Sequence, residues 1–343
     1  MTDSNNYDPN QFARTALPEN ILSDYHIKRF DETLSAQWDD FVENRSINGT
    51  FLHTRKFYNH NPLNERDDHS FLFYKRSRLI GILGCSLPDE NNKVLISHPR
   101  ATYGGFVVDK NVGVEASLAM VQLLVQEAKA QSINEIIIKN TFRIFHKKPC
   151  DEFDYALWYY GFDVKYRELE VAIPLDADLT SGYTEGTRSG LHKALKTLVV
   201  ELSSDYEVFW QLLEKTLKER YKAAPTHSYS QFCVLLNTIG EDKIKLFVTK
   251  KEDQIIAGVV LFILNNVCVH AQYIAYNVEF QNSRPLNILL HQVSVWAQEK
   301  GYKYFNLGRA NEDNGNKVNF NLFKFKESYG GRSVLRETLS LKL

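Results

Sequence analysis

Phe71–Gly84, FLFYKRSRLIGILG, and Leu246–Leu261, LFVTKKEDQIIAGVVL, share one arrangement of residues, and this arrangement decides the fold. Each stretch is an apolar strand, a charged turn and an aliphatic strand that carries a glycine, Gly81 in the first stretch and Gly258 in the second. Such a pattern predicts a β-hairpin. Because the two hairpins lie far apart in the chain, they indicate that one structural unit occurs twice.

The segments downstream of the two hairpins also correspond. An amphipathic helix follows each hairpin, because apolar residues recur three and four positions apart. Next come a short strand, within 134–140 or 302–309, and a helix ending in Tyr160-Gly161 or Tyr329-Gly330, where glycine can take a left-handed conformation. A last strand closes each unit. These landmarks recur roughly 170 residues apart and predict a duplicated α/β fold. The apolar helix positions are Leu118, Val121, Leu124, Val125 and Ala128, then Leu286, Leu289, Leu290, Val293, Trp296 and Ala297.

The boundary between the two units is predicted in Thr180–Glu201, which begins with the Gly/Ser/Thr content of a linker and continues as a basic helix. We therefore expect a polar N-terminal segment at 1–20, a first domain at 21–179 and a second domain at 180–343. A chain of 343 residues accommodates two domains of ordinary size.

Composition argues against several classes of partner. The chain has 41 basic and 42 acidic side chains and a net charge of −1, so no overall field attracts nucleic acid or anionic membrane. The N-terminus has no signal-peptide pattern, and the longest apolar run, 255–264, is too short to span a bilayer. We expect a cytoplasmic protein. The four cysteines, which are scattered and signal neither zinc nor a disulfide framework, are Cys85, Cys150, Cys233 and Cys268.

The predicted order of elements resembles the GNAT acyltransferase fold, and its duplication resembles the Fem-like branch of that superfamily. The resemblance covers nearly the whole chain and implies two tandem GNAT-like domains of the α/β (α+β) class. Each would be a mixed, mostly antiparallel twisted sheet flanked by helices. The segments that carry the resemblance are SHPRATYGGFVV (97–108), APTHSYSQF (224–232), QYIAYN (272–277), FNLGRANED (305–313) and FKFKESYGG (323–331).

The resemblance implies an activity as well. The chain is similar to sugar N-acyltransferases of the FdhC type, which are encoded among cell-surface polysaccharide genes such as those for O-antigen or capsule. It implies acyl transfer from coenzyme A, as hydroxyacyl-CoA or acetyl-CoA, to the amine of a dTDP- or UDP-linked deoxyamino sugar. One segment departs from the family: QNSRPLN (281–287) stands where a Q/R-x-x-G-x-G/A pyrophosphate loop is usual.

A coenzyme A site needs a strand edge for the pantetheine amides and a helix N-terminus for the pyrophosphate. The second unit supplies both, since a strand ends near Tyr276 and Pro285 suits a first helical turn. Arg284 can contact a phosphate; without the fold argument, an exposed arginine at a plain helix start is the favoured alternative. The first unit has no matching arginine. The predicted cofactor contacts are Tyr273, Ile274, Ala275, Gln281, Arg284, Leu286, Asn287 and Lys324.

Transfer to an amine needs a base whose pKa lies near neutrality. The resemblance favours His227, which lies in a polar loop, over His270, and His53 is a third candidate. A surface histidine and a buried core histidine are the plain alternatives for His227 and His270. Alternation along the strand predicts that Cys268, His270, Gln272, Ile274 and Tyr276 share one face.

Tyr276 or Tyr329 can protonate the leaving thiolate. The first unit is expected to shape the acceptor pocket, with glycines that allow close approach of backbone to ligand. For Lys326, a solvated lysine is the alternative to a ligand contact. The predicted acceptor contacts are His53, Tyr103, Gly104, Gly105, Gln272, Asn306, Asn319, Lys326 and Tyr329.

Two other functions stay open. Fem-type enzymes include peptidoglycan aminoacyltransferases that use aminoacyl-tRNA, but near-zero net charge and the lack of sustained heptads disfavour that donor. A non-catalytic tandem protein that binds a nucleotide sugar or a partner is also compatible, because no motif fixes a nucleophile. The sequence does not decide whether the protein is a homodimer.

Overall fold

The computed structural model describes residues 15–61, 67–88 and 93–343. Positions 1–14 of the predicted N-terminal segment 1–20 therefore lie outside the described residues. The helices are α1 Glu19–Leu22, α2 Ser35–Asp40, α3 Arg55–Asn59, α4 Val114–Ala130, α5 Glu152–Tyr159, α6 Glu185–Ala194, α7 Tyr206–Tyr221, α8 Tyr229–Ile239, α9 Pro285–Glu299 and α10 Phe320–Glu327. The strands are β1 Tyr25–Arg29, β2 Phe71–Lys75, β3 Arg78–Leu83, β4 Cys85–Ser86, β5 Val94–Ser97, β6 Phe106–Val108, β7 Glu135–Lys139, β8 Asp163–Pro174, β9 Val199–Ser203, β10 Ile244–Lys251, β11 Gln254–Ile263, β12 Cys268–Tyr276, β13 Tyr304–Arg309, β14 Asn311–Glu312, β15 Lys317–Val318 and β16 Arg332–Lys342.

Both hairpins predicted from the sequence are present, as β2–β3 and β10–β11. Residues Gly161 and Gly330, which follow α5 and α10, have φ angles of 86° and 76°, so both glycines take the predicted left-handed conformation. The two long amphipathic helices are also where the apolar pattern placed them, at α4 and α9. The repeat of local elements is therefore confirmed.

One ten-stranded sheet runs through both halves of the chain, in the order β4-β5-β7-β16-β8-β13-β12-β11-β10-β9. A separate four-stranded sheet, β1-β2-β3-β6, belongs to the first half. Within the described ranges, the pairings β5–β7 and β12–β13 are parallel and the other strand pairs are antiparallel. The ten-stranded sheet is thus mixed and mostly antiparallel, as predicted, and the described pairs of the four-stranded sheet are antiparallel.

The two halves exchange their last strands. Strand β8 closes the first half of the sequence but pairs with β13 of the second half. Strand β16 closes the second half but pairs with β7 of the first, and β8 and β16 also pair with each other from Arg332 to Ser340. A division between residues 179 and 180 therefore leaves one strand of each unit in the other unit's sheet, and the domain ranges 21–179 and 180–343 stay predictions.

The second half has an apolar core on each face of its sheet. Helices α6 and α9 cover one face, where Leu289, Leu290 and Val293 are fully buried. Helices α7 and α8 cover the other face, where Trp210 and Phe232 are stacked. In the described part of the chain, no helix is long and apolar enough to cross a bilayer.

Candidate functional site

Strands β12 and β13 separate after a short parallel contact. They pair at only three positions, from Cys268↔Tyr304 to His270↔Asn306, although β12 continues to Tyr276 and β13 to Arg309. On its other edge, β12 pairs antiparallel with β11 from Val269 to Tyr276. Beyond His270, β12 therefore has an edge that β13 does not pair with, and this edge faces the gap between the two strands.

A cavity of ≈ 450 Å³ opens beside this gap, and we call it the β12 cavity. Its size lies within the range of small-molecule sites. Of the predicted site residues, Ile274 and Tyr276 of β12, Leu286 of α9, and Asn319 and Lys326 at α10 are brought together here. The complete lining is Thr216, Arg220, Ile274, Tyr276, Leu286, Asn319, Asn321, Leu322, Phe325 and Lys326.

Lys326 is a buried cation in the wall of the β12 cavity, with only 5 % of its surface exposed. Its Nζ donates to the backbone oxygens of Gly308 and Arg309, each at 2.7 Å. Burial lowers the pKa of Lys326 to about 8, although nearby Glu170 favours the charged form. Two of the three ammonium N–H donors are therefore occupied by the protein, which leaves one for a ligand. The alternative of a solvated lysine is wrong for this residue.

The N-terminus of α9 borders the same cavity through Leu286. Pro285 occupies the first helical turn, as predicted, and no side chain caps the helix. Arg284 precedes it in a left-handed conformation with φ 59°, its side chain is exposed, and its N–H donates to the Gln281 oxygen. Since the first turn contains no acidic residue, its N–H groups and the helix dipole favour an anion. Asn287 instead joins α9 to α6, because its Nδ2 donates to the Thr187 oxygen at 3.1 Å.

A β-bulge at Gln272 changes which face of β12 each side chain occupies. Val260 and Leu261 are adjacent in β11 but pair with Tyr273 and Ala271, so Gln272 is the extra residue. Beyond it, Ile274 and Tyr276 pack with Val269 and Ala271 on the α9 side, whereas Tyr273 and Ala275 join Cys268 on the α7 side. The prediction that His270 shares a face with Ile274 and Tyr276 is therefore wrong, because one inserted residue reverses the alternation.

His227 lies in the loop between α7 and α8, half-buried, with Nδ1 2.5 Å from the hydroxyl of Tyr273. Burial and the adjacent His60 lower the pKa of His227, so its ring is neutral at physiological pH. Burial raises the pKa of Tyr273 to about 12, so the phenol keeps its proton. His60, which follows α3 of the first half, lies with its ring centroid 6.1 Å from that of His227. The pair of histidines thus spans the two halves.

The other predicted catalytic groups lie apart from this pair. Burial lowers the pKa of His270 to about 4, with Lys326 adding to the shift, and its Nδ1 is buried without a hydrogen-bond partner. The Tyr276 hydroxyl, in the β12 cavity, accepts a hydrogen bond from Arg220. Tyr329 is buried against Tyr183, and burial raises its phenol pKa above the ordinary value.

The predicted acceptor residues of the first half form a compact buried group. His53 Nδ1 accepts from the Thr50 N–H at 3.1 Å, and Nε2 lies 3.3 Å from the Gly104 oxygen. Tyr103 is buried with its hydroxyl 3.1 Å from Thr50 Oγ1, and Gly105 has φ 80°. Desolvation lowers the pKa of His53 to about 4. This ring is satisfied inside the protein, and its role toward substrate stays a prediction.

Three further predicted residues do not line the β12 cavity. Asn306 is fully buried, where its Nδ2 donates to Glu170 and its Oδ1 accepts from the Gly308 N–H. Lys324 is exposed on α10, and Gln272 is half-buried at the bulge. Thr216, Arg220 and Phe325 of the cavity wall, and His60 beside His227, were missed because their neighbours in space come from distant parts of the chain.

The chain is similar to known proteins in sequence and in structure. Residues 186–315 match the family model of the acetyltransferase (GNAT) domain, and no curated protein matches the sequence. The structure of FemX superposes with a TM-score of 0.68 at 16% sequence identity, and the alignment covers 93% of this chain and 97% of that chain. The chain has a GNAT fold.

Two other solved structures superpose on this chain at low sequence identity. L-PGS from Bacillus licheniformis has a TM-score of 0.58 at 14% identity, with 91% of this chain and 92% of that chain covered. The C-terminal DUF2156 domain of a protein from Agrobacterium fabrum has a TM-score of 0.57 at 13% identity, with 89% and 90% covered. At these identities the likeness concerns the fold.

Proposed function

We propose that the protein is an N-acyltransferase that uses acyl-CoA, bound in the β12 cavity. The observation that carries this proposal is the divergence of β12 from β13 beside an uncapped helix N-terminus. An exposed strand edge suits the amides of a pantetheine chain, and the start of α9 with Arg284 suits a pyrophosphate. The match of the GNAT model to residues 186–315 supports a donor site in the second half.

The residues at the site fit such a donor. The cavity of ≈ 450 Å³ combines apolar walls at Ile274, Leu286 and Phe325 with the Lys326 ammonium. Acyl-CoA supplies a thioester that an amine can attack directly. The backbone of β12 beyond the Gln272 bulge offers N–H groups toward the developing oxyanion, and Lys326 retains one N–H donor.

The attacking amine gives up a proton to a base, and the departing coenzyme A thiolate takes a proton from an acid. His227 is our choice of base, because it is neutral at physiological pH and is held by the Tyr273 hydroxyl. His270 is the weaker choice, since a pKa of about 4 makes it a poor proton acceptor. Tyr276 is our choice of acid, because its phenol lies in the cavity wall and contacts Arg220.

For the acceptor we propose the amine of a nucleotide-linked deoxyamino sugar, with the reaction in the cytoplasm. The sequence resemblance to sugar N-acyltransferases supports this choice. The first half would supply the acceptor pocket, from the part of the chain that contains His53, Tyr103, Gly104 and Gly105. O-antigen or capsule biosynthesis is the corresponding setting.

Aminoacyl-tRNA is the second candidate donor. The observation that favours it is the similarity of the fold to FemX over nearly the full length of both chains. A net charge of −1 disfavours it, because binding of tRNA relies on contacts to phosphates. A non-catalytic binding protein would retain the fold and lack the reaction.

Thermal-shift titration with coenzyme A, charged tRNA and a dTDP-linked amino sugar separates these functions, because only a ligand of the folded state raises the melting temperature. We expect coenzyme A and the nucleotide sugar to raise it and charged tRNA to leave it unchanged. A rise with charged tRNA and none with coenzyme A would replace the proposal with the Fem-type donor. Release of free thiol in the presence of acyl-CoA and amino sugar distinguishes an enzyme from a binding protein.

A further inference from the structure

A second cavity lies at the edge of β16 and shares no lining residue with the β12 cavity. Strand β16 pairs with β7 only from Thr338 onward, so its stretch 332–337 has β8 on one edge and open space on the other. The Asn140 N–H donates to the Glu337 oxygen where this space begins. We call this space of ≈ 270 Å³ the β16 cavity, bounded among others by Asn140, Arg143, His146, Cys150, Asp154 and Arg336.

Two residues in the wall of the β16 cavity have buried nitrogens without a hydrogen-bond partner. They are Arg336, at Nε and Nη1, and His146, at Nε2. Arg336 is only 6 % exposed, and it is held by Glu168 through Nη2 and lies over the Phe142 ring, with Cζ 5.5 Å from the ring centroid. Its two other nitrogens keep their N–H groups unpaired. A buried donor that has no acceptor is costly, which points to an acceptor supplied from outside the chain.

His146 Nε2 is a donor in one of the two neutral tautomers of the ring. Its Nδ1 lies 3.2 Å from the Cys150 sulfur. Burial raises the pKa of the Cys150 thiol to about 12, so the sulfur keeps its proton. Burial also keeps the His146 ring neutral, with a pKa of about 4. In the tautomer in which Nδ1 accepts from the thiol, the ring proton lies on Nε2, and this atom then faces the cavity as a donor, as the Arg336 nitrogens do.

The carboxylates around the cavity are already paired within the protein. Asp154 is paired with Arg143, which also pairs with Asp151, and Glu337 is paired with Arg167. Glu168, which is buried, accepts from both Arg336 and Arg309. The two acidic residues that line the cavity therefore each have an arginine partner, and the buried unpaired atoms of the wall are those of Arg336 and His146.

We propose that the β16 cavity binds a small oxyanion, a carboxylate or a phosphate group, through Arg336 and His146. This site is separate from the proposed donor site and does not rest on the proposed function. The anion accepts hydrogen bonds from Nε and Nη1 of Arg336 and from Nε2 of His146. The volume of ≈ 270 Å³ accommodates one such group with a small substituent.

Calorimetric titration of the full chain with inorganic phosphate and, separately, with acetate tests the site and identifies the better oxyanion. We expect saturable binding of at least one of them with one site per chain. His146→Ala removes one donor without touching the Arg336–Glu168 pair and should weaken binding about fivefold. Arg336→Lys should weaken it by about tenfold or more. Arg332→Lys, on the exposed start of the same strand, is the matched control and should bind as wild type.

A second readout uses the Cys150 thiol in the cavity wall. Phosphate or acetate at a concentration near the wild-type dissociation constant should slow alkylation of Cys150 in the wild type and slow it less in His146→Ala, with Cys233, which lies elsewhere, as the internal reference. If Arg336→Lys does not fold, the His146 variant decides the question alone. Absence of saturable binding by the wild type, or equal affinity in wild type and His146→Ala, would overturn the proposal.

Discussion

Lys326 should make the stability of this protein depend on pH in the alkaline range. Its pKa in the folded state is about 8, whereas the ordinary value is 10.5. Between these values the unfolded chain binds more protons than the folded chain, so the free energy of unfolding rises with pH. The difference in pKa corresponds to a rise of about 3 kcal/mol for this one side chain. Lys326→Met should remove this rise and leave the contributions of all other groups in place.

The measurement is the free energy of urea unfolding for wild type and Lys326→Met at several pH values from about 7 to 10.5. The free energy of unfolding of the wild type, relative to that of Lys326→Met, should rise by about 3 kcal/mol over this pH range. Lys324→Met, on the exposed side of the same helix, should follow the wild type throughout. Parallel curves for wild type and Lys326→Met would refute the burial of this ammonium in the wall of the β12 cavity.

Other expected outcomes concern the donor, the base and the strand exchange. Arg284→Ala should raise the KM for acyl-CoA about fivefold with little change in kcat, and an unchanged KM would remove the pyrophosphate contact. His227→Ala should lower kcat about 10²-fold. Because burial lowers the pKa of His227, the wild-type rate should persist below pH 6.5, and an inflection above that value would exclude this base. A chain that lacks 332–343 should lose its cooperative unfolding transition by circular dichroism, because β16 lies between β7 and β8; a retained transition would argue against the exchanged sheet.

Local structure was predictable because each signal lies within a few neighbouring residues. The hairpins, the two long amphipathic helices and the glycines after α5 and α10 depend on turn chemistry, helical period and backbone freedom, which the sequence displays directly. The GNAT resemblance extended these signals to the correct fold class. Five predicted site residues lie together in the β12 cavity for the same reason, since they occupy the end of β12, the start of α9 and the two ends of α10.

The exchange of β8 and β16 was not visible in the sequence. Both segments have the composition of a final strand, and nothing in either one specifies which half of the sheet it joins. The bulge at Gln272 was missed for a related reason, because it is defined by the register against β11 and not by any residue of β12 alone. Its effect is large, since it moves Ile274 and Tyr276 to the face opposite the one assigned from alternation.

Burial also separates candidates that looked alike in the sequence. His53, His227 and His270 are all histidines near predicted site segments, but His53 is satisfied by Thr50 and Gly104 inside the first half. His227 is half-buried beside Tyr273 at the contact between the halves. The partner His60 comes from a segment more than a hundred residues away, so only the folded chain brings the two rings together.

Calorimetric titration of coenzyme A into wild type and Ile274→Trp tests the donor site most directly. Ile274 lines the β12 cavity, and an indole there fills part of its ≈ 450 Å³ without removing a charged group. The account predicts one coenzyme A per wild-type chain and a loss of affinity of at least about tenfold in a variant that still folds. Failure of the wild type to bind coenzyme A, or equal affinity in the two proteins, would contradict it.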